Sequence, residues 1–309
     1  MQFKRGIIAA VCGLAASSPG AFAADSSAAV SGVAPETSAD DVVRITVTAA
    51  DLRSESWKEA TGEESFHITI DADVTEIPDY AFAGCAGLRS VSFAPGSAAV
   101  SIGEGAFSGC ESLQRVDLPS GLITLGTACF YECSSLRNID IPAGVRTIPK
   151  SAFEWCVSLR SVTLPDRLTE IKGCAFEYCH QLQGITIPAS VTRVASNAFS
   201  CCYALQELRF PADAEVESYV ASECTSLRSV TLPANGKMLG ELMFSGCRML
   251  REIIEPSAKV PVFDCGSFIF EPDEEALYRQ CRLYVPAASA ERYRNAPGWN
   301  LFSDIAPIP

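Results

Sequence analysis

The apolar positions of this chain recur at a nearly constant step along most of its length. One unit reads Ala-Phe-x-x-Cys-x-x-Leu-x-x-Val-x-Leu-Pro, and successive cysteines of the unit lie 22 to 25 residues apart. Self-similarity at such a period is typical of a solenoid, in which each coil covers the apolar face of its neighbours. The cysteines that mark the units are Cys85, Cys110, Cys133, Cys156, Cys179, Cys202, Cys224 and Cys247.

Within one unit, the pattern predicts a short strand followed by turns. Ile139 and Ile141 alternate with polar residues, which indicates a half-buried strand. Pro142 ends this strand, because proline cannot donate to a strand ladder. Further along the unit, Ala152 and Phe153 are predicted to face inward on a single helical or 3-10 turn.

The strand pattern, the Ala-Phe-x-x-Cys phrase and the strand-ending proline together resemble the BspA-type leucine-rich repeat of bacterial surface antigens. The resemblance extends from about Val74 to about Pro256. It implies an α/β protein: a right-handed leucine-rich-repeat solenoid, strand-rich with short helical or 3-10 turns, with about eight 23-residue coils and a cap at both ends. It also implies non-catalytic binding outside the cytoplasm, with adhesion to a protein of a host or neighbouring cell as the leading function.

The amino-terminal residues have the pattern of an export signal. Lys4 and Arg5 precede an apolar stretch, and Ala21-Phe22-Ala23 predicts cleavage after Ala23. Acylation of Cys12 is the disfavoured alternative, since the preceding Val11 is bulkier than the small residue that this modification needs. The predicted organisation is a signal peptide at 1–23, a flexible tether at 24–41, an amino-terminal cap at 42–73, the repeats at 74–256 and a carboxy-terminal cap at 257–309.

Sequence outside the repeats predicts caps for the exposed terminal coils. Upstream, we expect strands at 43–47 and 66–70 and a short helix at 51–60 with Asp51 as its N-cap. Downstream, we expect a strand at 283–286, a helix at 290–295 capped by Ser289, and apolar cover for the last coil from Trp299, Phe302 and Ile305.

Two units inside the repeats depart from the pattern, and the first of them carries two extra residues around Pro95 to Val100. The second departure is larger. Ala221 stands where the other units have phenylalanine, the cysteine step there is 22, and residues 213–217 are unusually acidic. This departure predicts a local bulge or a looser coil.

The 14 cysteines of the chain would suggest a disulfide framework in an exported protein. Eight of them occupy one repeat position, where coils about 4.8 Å apart place parallel side chains that lack disulfide geometry. We therefore predict a buried ladder of free thiols. Cys265 and Cys281 lie outside the repeats, and their pairing as a terminal clamp stays open. Zinc is disfavoured, because the ladder has no paired C-x-x-C spacing and the chain has 2 histidines.

Charge and motifs argue against several functional classes. The net charge of −13, without a basic run, argues against nucleic acid, and no segment after the signal approaches the ~20 apolar residues of a membrane span. No nucleophile elbow, phosphate-binding loop or zinc-protease motif occurs. Cys179 and His180 are rejected as a nucleophile pair because adjacent residues rarely face each other. The carboxylates at 132, 154 and 177, and those at 273–275, are interpreted as solvated charges rather than as glycosidase or calcium sites. We predict no enzymatic activity, no cofactor and no metal.

A column of long donors forms the first candidate surface. The residue after each strand leucine is arginine or glutamine, and five of the eight are cationic on an otherwise acidic protein. One interpretation is a polar concave sheet that docks a protein or a glycan through forked donors. The alternative is that stacked polar side chains only keep the coil soluble. The column consists of Arg89, Gln114, Arg137, Arg160, Gln183, Gln206, Arg228 and Arg251.

Bulky residues beside the ladder cysteines of the middle coils form the second candidate surface. Trp155 and Tyr178 occupy equivalent positions one coil apart, so their rings should be neighbours. Exposed aromatics beside carboxylates suit a binding edge, whereas the alternative is that the rings cover the edge of the core. Protein adhesion, glycan capture with these rings as stacking platforms, and a structural or periplasmic scaffold without a dedicated ligand all stay open. The residues are Tyr131, Glu154, Trp155, Glu177, Tyr178, His180 and Tyr203.

Overall fold

The computed structural model describes residues 36–37, 43–55, 65–263, 269–271 and 274–309. The predicted signal peptide, its cleavage after Ala23, Cys12, Cys265 and most of the tether lie outside these ranges. Among the helices of the described ranges, none has the length and apolar character that crossing a membrane would need. Glu36–Thr37, inside the predicted tether, form a short strand antiparallel to Val43–Val47.

One strand of most coils stacks on the next in a parallel column, which we call the strand face. Ile139 lies opposite Val162, and Val230 lies opposite Ile253, so equivalent residues of successive units are paired. The inward residues are buried, as the alternation predicts. The strands are Val43–Val47, Phe66–Ile70, Leu88–Phe93, Arg115–Val116, Asn138–Asp140, Ser161–Thr163, Glu207–Arg209, Ser229–Thr231, Glu252–Ile254, Arg282–Val285 and Asp304–Pro307.

A second column of two-residue strands follows the turn after the strand-ending proline. In each of these strands the second residue is apolar and buried, which returns the chain to the core. The bulge or looser coil predicted at 213–217 is wrong, since Glu215 and Val216 pair in register with Arg193 and Val194. The strands are Glu76–Ile77, Ser101–Ile102, Thr124–Leu125, Thr147–Ile148, Glu170–Ile171, Arg193–Val194 and Glu215–Val216.

The segment that carries Ala-Phe-x-x-Cys is a pair of tight turns. The single turn predicted at Ala152 and Phe153 forms, since Glu154 N donates to Ser151 O at 3.3 Å, but it does not continue into a helix. Ser151 and Trp155 have φ of 56° and 63°, a left-handed conformation that interrupts any helix. Instead, Phe153 N donates to the carbonyl oxygen of Ala175 in the next coil at 2.9 Å. The backbone polar groups of this segment are thus satisfied partly by bonds within its turns and partly by bonds between coils, rather than in a helix.

Phenylalanine rings and thiols fill the interior next to these turns. Six rings stack from coil to coil with centroids 5.1 to 5.5 Å apart, and Ala221 interrupts the stack. The ladder cysteines are free thiols, and each described one from Cys110 to Cys247 is fully buried. Their Sγ atoms also donate to carbonyls of the preceding coil, as from Cys156 to Phe130 at 3.2 Å. The stacked rings are Phe82, Phe107, Phe130, Phe153, Phe176 and Phe199.

The solenoid has about 11 turns rather than the predicted eight. The difference arises because the strands at 43–47, 66–70, 282–285 and 304–307 join the same parallel column as the repeats. Parallel pairing requires only main-chain groups, so cap segments without the cysteine phrase can still continue the ladder. The domain boundaries themselves stay a prediction.

The amino-terminal cap contains a helix that begins earlier than expected. The helix is Ala49–Ser54, and its N-cap is Thr48 rather than Asp51. Thr48 Oγ1 accepts from Asp51 N, while the Asp51 carboxylate accepts from Thr48 N at 2.9 Å. This reciprocal pair is a capping box, which places the acidic residue at the third helical position.

The carboxy-terminal cap closes the last coils with aromatic residues. This cap contains two helices, Glu275–Gln280 and Ala290–Asn295, and two 3-10 turns, Ala287–Ser289 and Trp299–Leu301. Trp299 is fully buried and its Nε1 donates to Pro261 O at 2.9 Å. Ser289 stands at the predicted N-cap position, but its hydroxyl donates to Ala258 O instead of capping the helix. Cys281 Sγ donates to Leu250 O at 3.1 Å, so the described half of the suggested clamp is a buried thiol.

Candidate binding surface

The donor column lies on the strand face with every one of its eight side chains exposed. The strand alternation causes this placement, because the leucine before each donor is buried. Among the described residues, Arg89, Arg137, Arg160 and Arg228 take part in no ion pair, whereas the neighbouring Arg115 pairs with Asp117 at 2.8 Å. Four guanidinium groups on this surface are therefore available to a ligand.

Four of the predicted rings, those of Trp155, Tyr178, His180 and Tyr203, come together as one cluster at the edge of the coils, whereas the described ring contacts do not include Tyr131. The rings of Trp155 and Tyr178 stack with centroids 3.9 Å apart, as the equivalent positions predict. His180 meets both rings edge-on at 6.2 Å and stacks on Tyr203 at 4.6 Å. Because Trp155 and Tyr178 cover one face of each other, Tyr203, which is 39% exposed, is the ring most open to solvent.

The backbone under this cluster is unusual for such large side chains. Glu132, Trp155 and Tyr178 have φ of 57°, 63° and 61°, where the equivalent residues of other coils include Gly84 and Gly109. A side chain in the left-handed region costs roughly 1–2 kcal/mol relative to glycine. The left-handed conformation belongs to the repeat, since Cys201 and Glu223 also adopt it, and the middle coils place bulky residues on it.

Carboxylates and a cysteine converge beside the rings. One ligand atom from each of Glu154, Cys174 and Glu177 lies within 4.8 Å of the others. Burial, reinforced by Glu177 and Glu132, raises the pKa of Glu154, and burial with a hydrogen bond to Glu177 raises the pKa of Cys174 to about 12. Such a donor set could hold a cation, but acidic side chains commonly gather on surfaces without one. Cys174 was not among the sequence-predicted residues, because it stands outside the repeated cysteine position.

The structure joins two surfaces that the sequence treats separately. Arg137 and Arg160 of the donor column and His180 of the aromatic cluster line one pocket of about 470 Å³. Ser158 and Gln181 complete its polar lining and were not singled out in the sequence. Both residues stand two positions before a residue of the donor column, and this spacing could have identified them in the sequence. His180 is the one predicted residue of the aromatic cluster in this lining, which does not include Tyr131, Glu154, Trp155, Glu177, Tyr178 or Tyr203.

Comparison with solved structures supports the fold. A leucine-rich cell surface protein from Faecalibacterium prausnitzii is 22% identical, with 96% of each chain covered and a TM-score of 0.50. A leucine-rich repeat protein from Bacteroides ovatus is 19% identical over 91% of this chain and 79% of that one, with a TM-score of 0.53. At these identities the likeness establishes the fold alone. No curated protein matches the sequence significantly.

A family model gives the assignment. The model described as "BspA type Leucine rich repeat region" matches residues 61–163 and 146–268 with 6 copies, which together cover more than half of the chain. The matched ranges contain the phenylalanine stack, the thiol ladder and the whole donor column. The chain therefore belongs to the BspA-type leucine-rich repeat family.

Proposed function

We propose that this chain is an exported, non-catalytic binding protein that docks another protein on its strand face. The observation that supports the proposal is the donor column, with eight exposed long donors at coil spacing on a protein of net charge −13. Forked guanidinium groups suit carboxylates, and a stacked column offers them to an extended partner surface. A host or neighbouring-cell surface protein is the leading partner, in keeping with the family and with the cell-surface relative.

Binding to a panel of immobilised extracellular-matrix and cell-surface proteins tests this proposal. We expect at least one panel protein to bind, and the charge reversal Arg137→Glu with Arg160→Glu to weaken that binding by roughly 100-fold, since two charge-assisted contacts are lost. The matched control is Arg146→Glu with Arg167→Glu, because both arginines are exposed in the same two coils but precede the second strand column. Equal loss in the control, or no binding to any panel protein, contradicts the proposal.

Export is the second part of the proposal. It is supported by the charged residues, apolar stretch and Ala21-Phe22-Ala23 sequence at the amino terminus. Amino-terminal sequencing of protein recovered outside the cytoplasm should begin at Ala24. A mature chain that retains Lys4 and Arg5 would contradict cleavage.

Glycan capture is the second candidate function, and the aromatic cluster favours it. The open ring of Tyr203 and the rims of Trp155 and Tyr178 are amphipathic surfaces of the kind that sugars pack against. Glycan-array binding that is lost in Trp155→Ala and Tyr203→Ala would support it. A structural scaffold without a dedicated ligand would bind neither the protein panel nor the array.

A further inference from the structure

In the described residues the ladder of the strand face is interrupted twice, between Arg115–Val116 and Asn138–Asp140 and again at the coil of residues 184–186, and a groove opens at the second interruption. Among the described residues, the main-chain groups of 184–186 make no hydrogen bond to either neighbouring coil. The contacts just before them, from Gln183 N to Arg160 O and from Gln206 N to Gln183 O, are both 3.4 Å and therefore long. A groove of about 1030 Å³ lies over this coil, and residues 184–186 line it. Peptide groups with unmet hydrogen bonds thus border an open space.

A glycine weakens the ladder at this coil. Gly184 occupies an outward column that otherwise holds polar side chains, such as Ser161 and Glu207 in the adjacent coils. Glycine weakens a strand because its backbone loses more freedom on ordering and it has no side chain to pack across the sheet. A Cβ atom built on Gly184 would meet nothing within 4 Å, so the space above this coil is free.

The smaller pocket with Arg137 and Arg160 adjoins this groove. Arg160 lies two residues before Val162, and Gln181 lies two residues before Gln183, and these later residues line the groove. The pocket therefore stands at the start of the same strands over which the groove runs. A ligand that follows one coil from its aromatic edge onto the strand face would contact both.

The pocket has the chemistry of a carboxylate site. Arg137 and Arg160 hold equivalent positions one coil apart, and neither side chain makes an ion pair or hydrogen bond among the described residues. Two like charges at this spacing repel, and an anion between them relieves the repulsion. His180 Nε2 is buried without a hydrogen-bond partner and burial lowers the pKa of the ring, so the histidine adds a neutral polar group.

We propose that the partner docks as an extended peptide segment, with an aspartate or glutamate carboxylate held between Arg137 and Arg160 and its main chain lying along the groove at residues 184–186. This site rests on the proposed function, because it specifies which segment of a protein partner the strand face takes. Arg209 and Glu207 line the far side of the groove and form an ion pair with each other. The unpaired positive charge therefore lies at the pocket end of the groove.

A peptide fits the two features together better than another anion does. An extended main chain presents alternating donors and acceptors, and the unmet groups at 184–186 can hydrogen-bond to them where the chain lies in the groove. A carboxylated sugar would match the pocket, but it offers no such ladder to the groove. A peptide main chain can approach Gly184 closely, because no atom lies within 4 Å of the position where a Cβ would stand.

Fluorescence anisotropy with defined probes tests the site. The probes are a labelled peptide of alternating Glu and Thr, the same peptide with Gln for Glu, and a labelled hyaluronan oligosaccharide as a carboxylated sugar. Arg137→Gln with Arg160→Gln removes the charges, and Gly184→Tyr fills the groove at a position where an added Cβ atom meets nothing within 4 Å. The matched controls are Arg146→Gln with Arg167→Gln, and Ser229→Tyr, which is in the column of Gly184 but outside the groove.

We expect the Glu peptide to bind at least roughly tenfold more tightly than the Gln peptide, and both site variants to lose that advantage while the controls keep it. Equal binding of the two peptides, or full binding by either site variant, overturns the proposal. Preferential binding of hyaluronan also overturns it in favour of a sugar carboxylate. If panel proteins bind but the Glu peptide does not, this site fails while the proposed function stands. If no panel protein binds, the proposed function itself fails.

Discussion

The phenylalanine stack makes the sharpest test of the solenoid core. Phe153 is fully buried, and its ring centroid lies 5.5 Å from that of Phe130 and 5.4 Å from that of Phe176. Replacing a buried phenylalanine by alanine costs about 3–5 kcal/mol, through lost transfer energy and the cavity that remains. We expect Phe153→Ala to reach the upper part of that range, since it also removes two ring contacts.

The cavity at this position has little opportunity to close. Phe130 N donates to Ala152 O, and Phe153 N donates to Ala175 O, both at 2.9 Å, so hydrogen bonds fix the spacing of the coils on either side. Each coil contacts only its neighbours, and a weakened interface in the middle affects both halves of the solenoid. We therefore expect little relaxation around the missing ring.

Equilibrium urea unfolding, followed by far-UV circular dichroism and by tryptophan fluorescence, measures this loss. Ile123→Ala is the matched control, because Ile123 is 56% exposed and its truncation should change stability by about 0.5 kcal/mol or less. A loss below about 1 kcal/mol for Phe153→Ala, with an unchanged dependence on urea, would refute the idea that the stack is a rigid part of the core.

Three further predictions concern the thiols and two glutamates. Titration of the denatured, unreduced protein should find free thiols at the eight ladder positions, and a count below six would contradict a buried ladder. Burial raises the pKa of Glu255 from 4.5 to about 8, so the folded state holds an extra proton in that window. Urea unfolding should therefore show stability falling as pH rises through it, by up to about 1.4 kcal/mol per pH unit, and Glu255→Gln should abolish the slope. Glu274→Ala should cost about 1–2 kcal/mol in the same assay, whereas Glu275→Ala should not, because only the Glu274 carboxylate accepts from Gly246 N at 2.9 Å.

The cysteine phrase predicts the core more completely than it predicts the turn that carries it. The inward positions of Phe153 and Cys156 follow from periodicity alone and are confirmed by their burial. The turn at Ala152 and Phe153 does not continue into a helix, because Trp155 and its equivalents adopt a left-handed backbone that the sequence does not reveal at positions without glycine. The hydrogen bonds between coils offset the free-energy cost of that conformation for a bulky residue.

An irregular coil lies at Gly184 rather than at the predicted residues 213–217. Ala221 and its acidic neighbours break the sequence pattern, yet their coil pairs in register because its main chain is undisturbed. Gly184 attracts less attention in the sequence, since a single glycine in a polar column leaves the apolar period intact. The strand ladder depends on main-chain order, which glycine weakens directly.

The sequence by itself determined which side of each coil faces the core, that the cysteines fill the core as thiols, and that arginines and glutamines line one exposed face. Each of these follows from a residue's place within its own unit, because equivalent residues of neighbouring coils share the same environment. Only the tertiary structure decided that the caps extend the sheet, that the ladder opens at Gly184, and that Arg137, Arg160 and His180 share a pocket. These features depend on how separate columns approach one another around a turn, which no repeat period specifies.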